Sequence, residues 1–566
     1  MNISKLIYNI LIDHKVKDVF MYSGGAILPL INEFYKGSIN YYVNSHEQNC
    51  GHAATGYAKT SGRTGVSIVT SGPGVTNSIT PLLDANNDST PFVLLSGNVS
   101  LQNMGTNAFQ EAPSVDITTP VTKWSYCIKD PNEVNDIIYE AFKVANTGKK
   151  GSVHIDIPKC ILVSNTNNFE KKEIYELDND IISSLPISEI ANMILMAERP
   201  ILYVGQGANK AYNSVRELAV RYNIPITTTL HAMGVFDENH ELSLKMCGMH
   251  GHAAANYALQ DSDCIIAIGS RFDDRTTGNI KKYAPKCKQF IHLNIEKSEI
   301  NKVVSSEYII GKCENTIPKL LIELNKTEHP NNNTNWIKKI KKWKKDYPYQ
   351  YKKNKMKTQD VLIEINKYVK ANNDNFIFTG GVGNHQMMST QYINWKYPGR
   401  YISSGSLGVM GTGLPYAIGA QIANPNKIII DIDGDSSFNM TSTDMKTIVE
   451  HDLPIKILIL NNETQDMVRV WENLFFEKRI TATTNKRNPC YKSLAESYGI
   501  TSLKCNFIDD LESSIHNFIH YNNGPILLEC KVEPDMCLPL VAPGAGLDEM
   551  ILFDKDYTIL KNECPS

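Results

Sequence analysis

The chain has 566 residues, with 57 Lys and Arg against 60 Asp and Glu, so it offers no general field for nucleic acid or an anionic membrane. Its length is that of two to four domains, and no apolar run approaches the roughly 18 residues of a membrane span. The 12 cysteines are scattered without Cys-x-x-Cys spacing, which excludes a disulfide framework or zinc site and reads as reduced, mostly buried thiols.

Residues 3–14 are helical in period, and extended runs follow at 41–43, 66–69, 92–96 and 153–157 with helical stretches between them. That alternation predicts a doubly wound sheet. The pattern begins at once, with no signal-like or Arg-rich segment ahead of it, and so predicts a cytoplasmic location. A charged, Asn-rich stretch over 165–180 reads as a linker. A second α/β unit opens at Pro200-Ile201-Leu202-Tyr203-Val204-Gly205 and runs to about residue 323. Residues 325–357 are rich in Asn, Lys and Tyr, but Trp336, Ile337, Ile340 and Trp343 fall at helical spacing. The lysines therefore read as the solvated face of a connecting helix, in preference to a nucleic-acid-binding arm. A third unit begins near Asp360. The expected class is α/β: three doubly wound parallel-sheet domains over residues 1–165, 185–325 and 358–555.

Two strand ends carry the chemistry. Asp433-Gly434-Asp435 closes the apolar run 428–432, and Leu460-Asn461-Asn462 closes the run 455–459. Residues 443–451 between them read as a helix, so the unit is strand–helix–strand with one right-handed crossover. Ligands bind at the carboxyl ends of such strands. A carboxylate and an amide there suit Mg²⁺, which prefers hard oxygens and leaves positions for phosphate and water. The simpler account is that Asp and Asn are common turn formers. Glu47, in Ser45-His46-Glu47-Gln48, precedes the small, apolar stretch 51–58. It is either an ordinary acid at a helix N-terminus or a desolvated carboxyl with a raised pKa, able to share a proton.

Resemblance decides between these readings. Gly434-Asp435-Ser436 followed by Asn461-Asn462 resembles the thiamin-diphosphate signature, with Ser436 a mild departure. Gly24-Gly25-Ala26, Ser71-Gly72-Pro73-Gly74, the segment 105–111, Gly248-Met249-His250-Gly251, Arg271-Phe272-Asp273-Asp274-Arg275, Gly408-Val409-Met410-Gly411 and Gly546-Leu547-Asp548-Glu549 occur in order. The set is similar to acetohydroxyacid synthase (acetolactate synthase) catalytic subunits over roughly residues 5–555. The resemblance implies pyrimidine-binding, central FAD-binding-like and diphosphate-binding domains, with thiamin diphosphate, Mg²⁺ and FAD as cofactors.

It further implies that Asp435, Asn462 and the main-chain oxygen of Thr464 hold Mg²⁺, and that Glu47 protonates the aminopyrimidine. Gly383, His385, Gln386 and Gly434 would contact the diphosphate, and Met410 would support the folded cofactor. Phe109, Gln110 and Lys159 would reach the reacting centre, and Trp471 would favour the larger acceptor, by a moderate margin. Gly205, Gly207, Thr228, His250, Gly251, Arg271 and Lys149 would contact the flavin. The implied reaction joins pyruvate, after loss of carbon dioxide, to a second 2-keto acid, giving 2-acetolactate or 2-aceto-2-hydroxybutyrate. The implied assembly is a homodimer or homotetramer with Glu47 of one chain facing Asp435 of another, and a regulatory small subunit as a further partner. The alternatives are a flavin-free catabolic acetolactate synthase and a non-catalytic cofactor-binding homologue. Four departures stand out: Lys149 for an Arg that Lys does not replace in kind, Lys312 for Asp, Asn294 for an acid, and Asp466 for a Gly that is free to adopt φ > 0.

Overall fold

The computed structural model describes residues 1–174, 180–327, 333–554 and 556–561. Residues 175–179 of the expected linker and 328–332 of the expected connecting segment lie outside the described residues. Three sheets follow one another along the chain. The first has the order Asn40–Val43, Asp18–Met21, Gly65–Val69, Phe92–Asn98, Ser152–Pro158, Trp124–Cys127, all parallel. The second runs Ser243–Met246, Ile226–Thr228, Pro200–Val204, Cys264–Ile268, Gln289–Asn294, Glu307–Ile310 in parallel, with Ile182–Ser183 antiparallel at one edge. The third runs Tyr401–Ser403, Phe376–Gly380, Ile428–Gly434, Lys456–Asn461, Ile526–Lys531, Thr501–Cys505, again all parallel. Strands such as Phe92–Asn98 and Ser152–Pro158 are buried along their whole length, because helices cover both faces of a parallel sheet.

The connecting helix forms as its spacing predicts, over Thr334–Asp346, and buries Trp336, Ile337, Ile340 and Trp343. Its lysines are fastened to the central unit: Lys339 Nζ lies 3.0 Å from Asp261 Oδ2, and Lys344 Nζ donates to Ser243 O at 2.8 Å. Leu540–Val541, Met550–Phe553 and Ile559–Lys561 make a small antiparallel sheet. Its Val541, Leu547, Met550 and Leu552 pack on Ala253, Ala254 and Tyr257 of the central unit, the apolar surface that shelters them from water.

The outer two units meet through helices Glu47–Ser61 and Gly413–Ala423. A Cβ at Gly56 would lie 2.5 Å from Tyr416 O, and one at Gly419 would lie 1.9 Å from Ala53 O, so both glycines are needed for this backbone approach. Beside that crossing all three units converge on one buried carboxylate, Asp88. Lys59 Nζ donates to its Oδ2 at 2.7 Å, Gly405 N to the same oxygen at 3.1 Å, and Ser406 N to Oδ1 at 2.9 Å. His231 Nε2 of the central unit stands 3.1 Å from Oδ2, at ion-pair distance but poorly aligned for a hydrogen bond. Neighbouring Asp84 accepts from Ser404 and Tyr416 hydroxyls. Burial and the Asp88 charge raise the Asp84 carboxyl. At Asp88 burial also acts upward, but the Lys59 ammonium and His231 outweigh it and hold that carboxyl well below its usual range.

Replacing Lys59 by Met leaves a buried carboxylate without its ammonium, a change that costs about 3–5 kcal/mol. Urea unfolding at pH 7 is expected to show that loss. Because the Asp88 carboxyl is depressed in the fold, its contribution is complete above the unfolded value near 3.9 and disappears as pH falls through the lower folded value. The gap between wild type and Lys59→Met therefore narrows only in strong acid.

Candidate functional site

Ile428–Gly434 and Lys456–Asn461 pair directly, Gly434 opposite Leu460, so the two motifs end side by side. The expected helix between them is Met445–Glu450, preceded by a 3-10 turn at Ser442–Asp444. Asp435 opens a short helix at the strand end and is buried. Its Oδ2 accepts from Asn485 Nδ2 and Asn488 Nδ2, both at 2.7 Å, while its Oδ1 is buried with no partner. Burial raises the carboxyl, against the pull of the two amides. Asn462 Oδ1 accepts from Thr464 N and Oγ1, both at 3.1 Å, which folds the turn carrying the Thr464 carbonyl. A buried, bare carboxylate oxygen beside an amide and a main-chain turn fits a hard cation such as Mg²⁺. Among the described residues no group of three or more His, Cys, Asp or Glu gathers to hold a metal, at this tip or away from it.

The residues expected at the diphosphate surround this tip. Gly383 has φ 154°, and a Cβ at Gly434 would come within 2.8 Å of His385 Nδ1. The His385 ring is thus seated against glycine backbone, with Nε2 3.3 Å from buried Asp433. Gln386 Nε2 donates to Ser403 Oγ at 2.8 Å and Ser404 O at 3.0 Å. Met410 is half-buried between two left-handed glycines, Gly408 and Gly411. Asp466 does not need the freedom of Gly. It is the first residue of helix Asp466–Phe475, and the left-handed residue of that turn is Glu463, φ 58°. A carboxylate is welcome at such a helix start. Asp466 accepts from Asn384 Nδ2 at 3.0 Å and Asp535 N at 3.2 Å, and burial lifts its carboxyl to about 6.

Glu47 begins helix Glu47–Ser61, and its Oε2 accepts from Asn77 Nδ2 at 3.0 Å. The helix is buried from Asn49 to Ala58, yet Glu47 itself is only half-buried. The desolvated acid expected from the sequence is not complete within one chain, because the residue stands at the open end of its helix. Phe109 is 88% exposed, and Gln110 adopts φ 61° against Gly72, where a Cβ would meet Gln110 O at 2.8 Å. Lys159 is exposed at the start of helix Lys159–Leu162.

A cavity of about 1570 Å³ runs between the three units. Lys149, Gly205, Gly207, His250, Arg271, Gln386 and Trp471 line it, so Gln386 borders both this cavity and the Asp435 tip; Thr228, Gly251, Glu47 and Asp435 are not among its lining residues. Gly205 is in contact with backbone, since a Cβ there would lie 2.3 Å from Gly269 O. Large volume and close-approaching glycine backbone suit an extended dinucleotide. Lys149 Nζ lies 3.5 Å from Glu299 Oε1, and burial, with Arg271 nearby, lowers its pKa. Lys312 also lines the cavity. Asn294, standing where an acid is common, donates to Ser270 O at 2.8 Å. Arg271 donates to Asn87 O and to Ser406 Oγ, both at 2.8 Å, and so ties the units together.

Residues 1–118 match the N-terminal TPP binding domain of thiamine pyrophosphate enzymes, 187–320 the central domain, and 381–530 the C-terminal TPP binding domain. The chain is 41% identical to the mitochondrial acetolactate synthase catalytic subunit of Saccharomyces cerevisiae, over 96% of this chain and 82% of that one. It is 38% identical to the acetolactate synthase large subunit of Cyanidium caldarium, over 98% and 97% of the two chains. A probable acetolactate synthase large subunit of Methanocaldococcus jannaschii is 37% identical over 95% and 93%. The chain belongs to the acetolactate synthase family.

In this member of the family, sequence reasoning missed Asn77, Asn485 and Asn488, all of which bond a motif carboxylate. No local signal separates them from the other asparagines of an Asn-rich chain. Gly205→Ala forces a methyl group into backbone, and overpacking of this kind costs about 1–3 kcal/mol. A lower unfolding temperature in thermal denaturation is the expected result.

Proposed function

We propose that the chain catalyses thiamin-diphosphate-dependent synthesis of 2-acetolactate from two molecules of pyruvate, or of 2-aceto-2-hydroxybutyrate when 2-ketobutyrate is the acceptor. The observation that carries this is the Asp435–Asn462 pair at adjacent strand tips, with a bare buried oxygen, in a chain related over nearly its whole length to acetolactate synthases. Two pyruvate anions and one proton give one acetolactate anion and carbon dioxide, so the site must manage a proton as well as a carbon–carbon bond.

Thiamin diphosphate, when bound, supplies the carbanion chemistry. The chain's own residues orient it and control protons. Asp435, Asn462 and the Thr464 carbonyl would hold Mg²⁺ against the diphosphate, with Gly383, His385, Gln386 and Gly434 packed about it. Glu47 holds and returns a proton through its carboxyl, and the Asn77 amide fixes the orientation of Oε2. Trp471 lines the cavity, where an acceptor side chain would meet it. Lys149, Gly205, Gly207, His250 and Arg271 make a wall that suits FAD. Half-exposed Glu47 and exposed Phe109 support closure of the site by a second copy of the chain, Glu47 of one facing Asp435 of the other. The large-subunit name carried by relatives supports a smaller regulatory partner.

Purified protein with thiamin diphosphate, Mg²⁺ and FAD is expected to convert pyruvate to acetolactate, and omission of FAD to abolish most of the product. Undiminished product without flavin would assign the flavin-free branch. No pyruvate consumption would overturn the reading. Glu47→Gln is expected to lower kcat by about 10²–10⁴, the usual contribution of a positioned acid–base group, while thiamin diphosphate still binds in equilibrium dialysis.

A further inference from the structure

The segment 481–490 lies across the strand tips as a strap. Asn485 N donates to Glu463 O at 2.7 Å, and Gln465 N donates to Thr483 O at 2.8 Å. Farther along, Glu472 accepts from Thr481 N at 2.7 Å and from Thr483 Oγ1 at 2.6 Å. The strap is therefore fastened to the turn that carries Thr464 and to the helix that carries Trp471. From this seat its two asparagine amides reach one oxygen of Asp435. Asn485 Nδ2 also donates to Ser436 Oγ at 2.6 Å, and Asn488 Nδ2 to Asn461 Oδ1 at 3.2 Å, so Asn488 spans both strand ends. Asn439 Nδ2 donates to Asn488 Oδ1 at 3.1 Å, which fixes the amide's orientation.

A carboxylate has two oxygens able to ligate, and an amide N–H can only donate. Two such donors on Oδ2 occupy that oxygen, while Oδ1 is left bare in a buried place. We infer that Asn485 and Asn488 are positioning residues that turn Asp435 so that Oδ1 faces the divalent cation. The same strap sets the Asn462–Thr464 turn, so one segment aligns the carboxylate, amide and carbonyl donors together. Outer partners of this kind typically change metal affinity by about 10–100-fold. The inference rests on the reading of Asp435 and Asn462 as metal ligands.

The test is a Mg²⁺ titration of thiamin diphosphate binding, followed by intrinsic fluorescence, on wild type, Asn485→Ala and Asn488→Ala. The expected result is a 10–100-fold rise in the Mg²⁺ concentration needed for half-saturation, with full cofactor binding once Mg²⁺ is saturating. Asn485→Ser and Asn488→Ser, which keep a short donor, recover part of the loss and guard against variants that fail to fold. Variants with a lowered unfolding temperature but an unchanged Mg²⁺ requirement would overturn the inference and leave the asparagines a purely structural role. If wild type itself binds thiamin diphosphate without any need for Mg²⁺, the metal-site reading fails, and the inference with it.

Discussion

The Asp88 carboxylate sets the relation among the three units. A charge with no access to water must be met by donors that cannot move away, and here they come from its own unit and from Gly405 and Ser406 of the loop 403–406, with His231 of the central unit at ion-pair distance. Lys59 Nζ serves that loop twice, since it also donates to Ser403 O at 2.9 Å. The close seat of Gly405 follows from the same arrangement: a Cβ there would lie 2.2 Å from His231 Nε2. An apolar residue at 88 would leave the Gly405 and Ser406 main-chain N–H groups without their acceptor and the Lys59 ammonium without its counter-charge, each of which is costly.

That fixed loop is shared by the two candidate binding regions. One side of residues 404–408 forms a wall of the large cavity, and the chain continues directly into Met410. On the other side Ser403 and Ser404 receive Gln386 from the segment beside the Asp435 tip. Ser404 Oγ further accepts from Val409 N at 2.9 Å while donating to Asp84. The cavity and the strand tips therefore share this short piece of backbone, with Gln386 bonded to it from the tip side while lining the cavity.

The parallel sheet explains why so few residues suffice at the tip. Adjacent parallel strands bring Gly434 and Leu460 level, so the residues just beyond them share one end of the sheet without further design. Asp431 and Asp433, lower on the same strand, show the other consequence of that position. Both are buried, and burial together with the Asp433 charge raises the Asp431 carboxyl far above its usual range. Only Asp435, at the end of the strand, pairs a bare oxygen with amide donors brought in from elsewhere.

Much of this was legible in the residues. Apolar runs bounded by turn formers gave the strands, helical spacing of Trp336, Ile337, Ile340 and Trp343 gave the connecting helix, and the Asp435 and Asn461–Asn462 motifs gave the strand tips, because each depends on neighbours along the chain. The small sheet beyond residue 540 was not legible, because a short apolar run carries no mark of the unit it will cover. Asp466 went astray because a motif position does not reveal its φ. What the sequence by itself determined is the local order of strands and helices and the identity of the motif residues. Tertiary structure alone decided that Asp88 joins three units, that Glu47 stands half-open beside Asn77, and that Asn485 and Asn488 claim one oxygen of Asp435. These are long-range contacts, fixed by packing of distant segments and not by any local preference of the chain.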